Sequence, residues 1–472
     1  MSNVGLVADR FADRGAAERR LADGGEDAGQ APALLPRLLR GLHGQGQMSL
    51  EEHLSVHGQV ATARARRRRQ ESPLIATVEQ AGLRGCGGAG FPTATKLRAV
   101  AGARGRAIVV VNAAEGEPAS RKDRTLMELL PHLVLDGAEL AAQAVGADEI
   151  IVCVCETVPA SQQSAVTAID ERRRHAGARV RTHLSLVPGH YVAGQESALV
   201  NYLGGGAAVP TFTPPLPFER GVRRRPTLVS NAETLAHLAL IARHGPEWFR
   251  QLGTPSQPGS ALVTLSGPVS QPGVYEIEHG ASLTSLVDAA GGITSPPRAL
   301  LVGGYGGSWI GGELLPGVVL SDEHLAAHGA TLGAGVLALL SADACAVAET
   351  ARVARWLADQ SSGQCGPCVY GLDAIATGVE ELASGVRTGA AAQRVTRLAG
   401  LVRRRGACGH PDGAARFVTS ALETFAPEFS EHAHNGPCEA CTRYSELPLP
   451  SPTPARARGR ARAGGARARD SR

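Results

Sequence analysis

The chain has 472 residues, with 48 basic side chains against 44 acidic ones and a net charge of +4. That length accommodates about two to four domains with sizeable cores, and no apolar run approaches the roughly eighteen residues a membrane span needs. The N-terminal stretch is charged throughout and lacks the apolar core of a secretory signal; nine cysteines in such a chain argue against a disulfide framework and for metal ligation in a reducing cytoplasm.

Residues 1–35, dominated by Ala, Gly and charge, read as disordered. Residues 36–58 carry a short element that Ser49 and Glu52 open as a capping box. With the Arg-rich link at 62–69 they form an arm over residues 1–74. From 75 to 250 the pattern predicts strands at 107–112, 149–155 and 180–187, and helices at 124–145, 159–176 and 231–244. This βαβ rhythm implies an α/β domain. Cys153 and Cys155 alternate along a buried strand and read as core thiols. Short strands and Gly/Pro turns around one helix, 282–290, set off residues 258–341. Residues 343–430 turn helical in four segments, which predicts a small bundle with Cys345 in a helix core. A tail, 431–472, holds a CxxC pair and an Arg-rich end. The two Arg-rich stretches, 62–69 and 454–472, fit solvated arms or contacts to nucleic acid or anionic lipid; nothing specifies a nucleic-acid sequence.

Two motifs about twenty residues apart carry the chemistry. GLRGCGGAGFPTATK, residues 82–96, is a glycine-rich loop ending in Lys96. NAAEGEPASRKD, residues 112–123, follows an expected buried strand. Gly85, Gly87, Gly88 and Gly90 let backbone N–H groups approach phosphates and a flat ring, and polar groups at a strand end grip the rest, so the pair describes a nucleotide site. Lys96 and Lys122 are the only lysines in the chain, and both lie in these motifs. Arginine does not easily replace a compact ammonium in a tight phosphate or flavin contact.

These residues resemble the NADH-binding flavoprotein subunit of respiratory complex I and its soluble relatives in hydrogenases and formate dehydrogenases, in which the motifs read GLRGRGGAGFPTGLKW and NADEGEPGTFKDR. The resemblance runs in order from about residue 75 to about residue 430. It implies a Rossmann-like α/β domain for FMN and NAD over 75–250, a β-grasp, SLBB-like domain over 258–341, and a four-helix iron–sulfur domain over 343–430. It places Glu115 and Glu117 beside the flavin and the nicotinamide ribose as catalytic candidates, and Phe91 as a stacking face. Two further blocks, GHYVAGQES at 189–197 and PTLVSNAET at 226–234, are similar to GAYICGEET and PTxVNNVET. They put Tyr191 and Glu196 on the nicotinamide side, with Gly194 as a further cofactor-binding candidate, and Asn231 and Thr234 at the flavin phosphate, where a helix N-terminus favours an anion. The implied activity is oxidation of NAD(P)H through FMN, with single electrons passing to a cluster and then to a ferredoxin or thioredoxin-like iron–sulfur partner. A degenerate, non-catalytic scaffold of the same fold is the alternative.

The chain departs from the family at Cys86, Ala114, Gln195 and Ser230, where the motifs have Arg, Asp, Glu and Asn. SSGQCGPC at 361–368 is similar to SCGxCxPC, which with a later cysteine holds a [4Fe–4S] cluster. Cys365, Cys368 and Cys408 stand at ligand positions, but the first ligand is Ser362. A serine-ligated cluster, a [3Fe–4S] cluster, a substitute ligand and no cluster are the open outcomes. Cys438 and Cys441 could supply a substitute thiolate or hold a cluster of their own. Paired with Cys365 and Cys368 they could instead make a four-cysteine zinc site.

Overall fold

A computed structural model describes residues 4–8, 35–42, 46–60, 71–176, 180–385, 391–443 and 445–450. The Arg-rich stretches and most of residues 1–35 lie outside the described residues. In chain order the strands are β1 (Val4–Ala8), β2 (Ala107–Ala113), β3 (Ala147–Cys155), β4 (Arg181–Val187), β5 (Thr227–Asn231), β6 (Ser260–Ser266), β7 (Gly273–Glu278), β8 (Pro297–Val302), β9 (Ser308–Gly311) and β10 (Val336–Ser341).

Strands β4-β3-β2-β5 form a parallel sheet, in that order. Apolar runs dominate β2 and β3 because helices cover both faces. Cys153 and Cys155 are buried, as core thiols should be. The β2–β5 register pairs Asn112 with Asn231, so two functional candidates meet where the strands end. That edge is where open α/β sheets bind ligands.

The expected helix over 124–145 is instead two, Lys122–Leu129 and Pro131–Val145. Pro131 has no N–H to donate and pushes Leu130 out of helical geometry, to φ −129 and ψ 43. The break lets Lys122 start a helix of its own beside the glycine loop. Upstream, Ser49 and Glu52 form the expected capping box on the helix Leu50–His57. That helix is anchored by His53, whose Nε2 lies 2.7 Å from Asp136 Oδ2.

The second sheet runs β1-β7-β6-β10-β8-β9. Among its described strands the one parallel pair is β6 with β10, and the helix Leu283–Ala289 packs beside it in a β-grasp arrangement. β1 corrects the expectation of disorder throughout 1–35. Val4–Ala8 pairs antiparallel with β7, and averaging composition over the whole arm hid this short apolar stretch.

The C-terminal bundle has helices Ala346–Asp359, Asp373–Ala383, Ala391–Val402 and His410–Thr424. A π-helical turn, Pro367–Leu372, leads into the second, and a fifth helix, Ala426–Asn435, follows. Tyr305 and Trp309 of the β-grasp pack on Trp356 and Phe417 of the bundle in one shared core. Among the described residues no helix is long and apolar enough to cross a membrane.

Candidate functional site

The glycine loop doubles back on itself: Gly85 N–H donates to Phe91 O at 2.9 Å, and Arg84 bridges Pro92. Gly88 and Gly90 have φ of +100° and +58°, which explains glycine at those positions. Gly85 and Gly87 have no such φ, and a Cβ built on either meets nothing nearer than 3.5 Å. Neither backbone conformation nor protein packing calls for glycine there, and the open backbone leaves room for a flat ligand. The loop is pinned from behind by Cys86 N–H, which donates to Thr234 Oγ1 at 2.9 Å, one turn into the helix Ala232–His244. Phe91 is half exposed at the mouth.

Lys96 Nζ donates to Glu196 Oε1 at 2.8 Å and to Val229 O at 3.0 Å. An ammonium has three donors, so one remains for a ligand. Asn112 Nδ2 donates to Gly194 O at 2.8 Å, which seats the 191–194 turn on the end of β2. The structure therefore gathers the loop glycines, Lys96, Asn112, Gly194, Glu196, Asn231 and Thr234 at one sheet edge. Their donors and open backbone fit FMN.

Behind the loop lies a buried charged network. Lys122 Nζ is 2.9 Å from Asp123 Oδ1 and 2.8 Å from Glu233 Oε2. Burial opposes its charge, but Asp123 and Glu233 hold its pKa above the ordinary lysine value. Asn231 Nδ2 donates to Asp123 Oδ2 at 2.6 Å, while its Oδ1 caps the helix at Glu233 N. Glu233 Oε1 also accepts from Leu262 N–H of β6, so the network joins the two sheets. Sequence reasoning missed Asp123 and Glu233, although both stand inside quoted motifs. A carboxylate beside one of only two lysines was the available signal.

The two catalytic candidates differ. Glu115 accepts from Ser120 Oγ at 2.5 Å and from the N–H groups of Asp123 and Arg124, so it holds the start of the helix Lys122–Leu129. Burial and the nearby Asp123 carboxylate raise its pKa. Glu117 accepts from the N–H groups of Ala119 and Tyr305 and is hydrogen-bonded to the Tyr191 hydroxyl. Burial pushes it up to about 7. A Cβ on Gly304 would lie 2.5 Å from Glu117 Oε2, so glycine in the β8–β9 turn lets the β-grasp cover this carboxyl.

A raised carboxyl pKa means the native state holds the proton more tightly than the unfolded chain between pH 4.5 and 7. Glu117 therefore favours the fold at acidic pH, and that contribution is lost as pH rises through 7, by about 3 kcal/mol. The stability of Glu117→Gln relative to the parent should rise by about that amount from pH 5 to pH 8. Denaturant unfolding at both values measures it, and a pH-independent difference would mean an ordinary carboxyl.

Tyr191 links this carboxyl to the cysteines. Its ring lies 5.3 Å from Trp356 and 5.4 Å from His410, and its N–H donates to Gln360 Oε1 at 3.0 Å. His410 follows Cys408 by two residues, and Gln360 begins the segment leading to Cys365. Cys368 is buried within the π-helical turn, and Cys365 and Cys408 are partly exposed. Burial, then the neighbouring Cys365 thiol, pushes Cys368 up to about 12; Cys408 also faces it, and the Ser361 hydroxyl hydrogen-bonds it. Three thiols facing one another beside a hydroxyl suit an iron–sulfur cluster by their donor chemistry. Ser361 stands beside Cys368, one residue before the Ser362 that the motif's spacing selects.

Cys438 and Cys441 do not join this group. They meet Cys345 and His432, with all four ligand atoms within 4.8 Å of one another. Cys345 is buried as expected, but it caps the helix Ala346–Asp359 rather than packing inside it.

The whole defines a redox protein of a multi-part electron-transfer system: a flavin-type cradle at a parallel sheet edge, tied by a β-grasp domain to a cysteine-bearing bundle. The chain matches the Nuo51 FMN-binding domain over residues 78–240, the SLBB domain over 262–310 and the NADH-ubiquinone oxidoreductase-F iron-sulfur binding region over 348–432. It is 32% identical to the second F-type chain of the NADH-quinone oxidoreductases of Rhizobium meliloti (strain 1021), over 77% of this chain and 90% of that protein. It is 28% identical to HndC, a subunit of the NADP-reducing hydrogenase of Solidesulfovibrio fructosivorans, over 84% and 83%. The crystal structure of an air-oxidized NAD+-reducing [NiFe]-hydrogenase superimposes with a TM-score of 0.71 at 32% identity. That match covers 78% of this chain and 65% of the hydrogenase chain. The chain belongs to the family of F-type chains of NADH-quinone oxidoreductase.

Proposed function

We propose that the chain oxidises NAD(P)H and hands electrons one at a time to an iron–sulfur partner. The observation that carries this reading is Tyr191, which touches Glu117 on the cradle side and His410 and Trp356 on the cysteine side. The two sites are therefore packed into one unit. Bound FMN would supply the exchange between two-electron and one-electron chemistry, and a cluster the one-electron relay, neither of which side chains provide. The loop backbone and Lys96 would hold the flavin phosphate and ring, with Asn231 and Thr234 fixing the helix start behind them. Glu117, with its pKa near 7, can hold or release a proton at a carboxyl oxygen under the β8–β9 turn. Cys365, Cys368 and Cys408 would ligate the cluster, with a serine hydroxyl beside them.

Val369 and Tyr370 follow Cys368 directly and are exposed, Tyr370 by 77%. The cysteines thus lie near a surface that a ferredoxin or thioredoxin-like iron–sulfur protein could approach. The degenerate-scaffold alternative finds no support: Lys96 keeps a donor for a ligand at the cradle, and the chain matches both the FMN-binding and the iron-sulfur binding regions of its family.

Anaerobically purified protein should show flavin absorbance and iron, and either NADH or NADPH should bleach the flavin. A flavin reduced by neither nucleotide would remove the nicotinamide donor. Cys368→Ser should lose the iron while keeping the flavin, read from metal analysis and absorbance together. Unchanged iron would put the cluster elsewhere.

A further inference from the structure

The second cysteine group is independent of the redox reading. Cys345 Sγ is 3.4 Å from Cys441 Sγ and 3.5 Å from His432 Nε2. Cys441 Sγ is 3.6 Å from Cys438 Sγ and 3.8 Å from His432 Nε2. All four ligand atoms lie within 4.8 Å of one another. We propose that Cys345, His432, Cys438 and Cys441 form a structural zinc site that fastens the C-terminal tail to the bundle.

The spacing selects the metal. Zinc bonds of about 2.3 Å to sulfur and 2.0–2.1 Å to nitrogen give tetrahedral edges of about 3.8 Å between sulfurs and about 3.6 Å between sulfur and nitrogen. The four observed separations fall around those values. Donors that nearly touch enclose one ion and leave no room for a cubane of irons and sulfides. Three thiols and an imidazole, with no carboxylate, select a soft or borderline cation over calcium or magnesium.

The surroundings prepare each ligand. His432 Nδ1 lies 3.2 Å from Ala383 O, so that nitrogen carries the proton and Nε2 turns its lone pair toward the thiols. Cys345 Sγ accepts from Ala348 N–H at 3.3 Å, which fixes the sulfur at the start of the helix Ala346–Asp359. Gly436, at φ +83°, turns the chain out of the helix Ala426–Asn435. Cys441 N–H then donates to Cys438 O at 3.1 Å, closing a knuckle that aims both sulfurs inward. Binding one Zn²⁺ releases three thiol protons to solvent and leaves a four-coordinate site with net charge −1; no oxidation occurs. Beyond the knuckle, the N–H groups of Glu446 and Leu447 donate to the Glu349 carboxylate.

The test is metal analysis of tag-free full-length protein, parent against Cys438→Ser, Cys441→Ser and Cys365→Ser. The parent and Cys365→Ser should carry about one zinc per chain, while the other two variants lose it with flavin and iron unchanged. Cys438 is exposed, so its variant spares the core. As a second measurement, Co²⁺ exchanged into the parent should give thiolate charge-transfer and tetrahedral d–d bands that are absent in Cys438→Ser. Iron lost in Cys441→Ser, a Cys345–Cys441 or Cys438–Cys441 disulfide by mass spectrometry, or parent protein without zinc and with four free thiols would each overturn the proposal.

Discussion

Lys96→Ala should weaken FMN binding by between about 10-fold and 100-fold, the worth of a charge-assisted hydrogen bond to a phosphate or ring oxygen. The side chain is 32% exposed, and its Glu196 partner is similarly placed. An ion pair at that exposure contributes at most about 1 kcal/mol to stability, so the variant should fold. The loss then reports binding alone. Lys96→Arg should not restore affinity. The planar guanidinium cannot keep the bonds to Glu196 Oε1 and Val229 O and still point a compact charge at the cradle. Flavin fluorescence quenching on titration into apoprotein measures all three proteins. Full affinity in Lys96→Ala would show that the cradle has been assigned to the wrong residues.

Lys122→Met should be the most destabilising single change in the nucleotide-site motifs, at about 3–5 kcal/mol. The Lys122 side chain is 3% exposed, with Asp123 at 9% and Glu233 at 1% beside it. Removing the cation leaves two carboxylates facing each other in a dry interior, with Glu115 close by. Glu233 cannot turn away without abandoning Leu262 N–H and the contact between the sheets. Adding Glu233→Gln to Lys122→Met should recover part of the loss, because the second substitution removes one of the orphaned charges. Denaturant unfolding of the two single variants and the double variant tests this. A loss below about 1 kcal/mol for Lys122→Met would mean the carboxylates take up protons without consequence.

The parallel sheet was legible because β2 and β3 are continuous apolar runs bounded by Gly and polar residues, a pattern with few other solutions. The helix break at Pro131 was equally visible in principle. The apolar spacing continued across it, and the local rule about the residue before proline was outweighed by that periodicity. In the site, the glycine loop could be read from its own residues, and Cys365, Cys368 and Cys408 from the resemblance of SSGQCGPC to SCGxCxPC. The surroundings of Glu117 could not: Gly304 and Tyr305, almost 190 residues away, fold over it, and that burial raises its pKa. Cys345 was missed for a similar reason. It comes 87 residues before His432, and nothing local distinguishes a helix-capping thiol from a core one. Chemistry assembled within one motif is readable in one dimension, whereas chemistry assembled between sheets and helices is not.

The scarcity of lysine has a practical consequence. With Lys122 enclosed, Lys96 carries the one accessible ε-amine, and it stands at the mouth of the cradle. Acylating reagents that would scatter over the side chains of an ordinary protein surface are thereby directed to a single functional one. The arginine-rich exterior offers them no competing ε-amine, so the covalent chemistry of this surface and the ligand chemistry of this site converge on the same nitrogen.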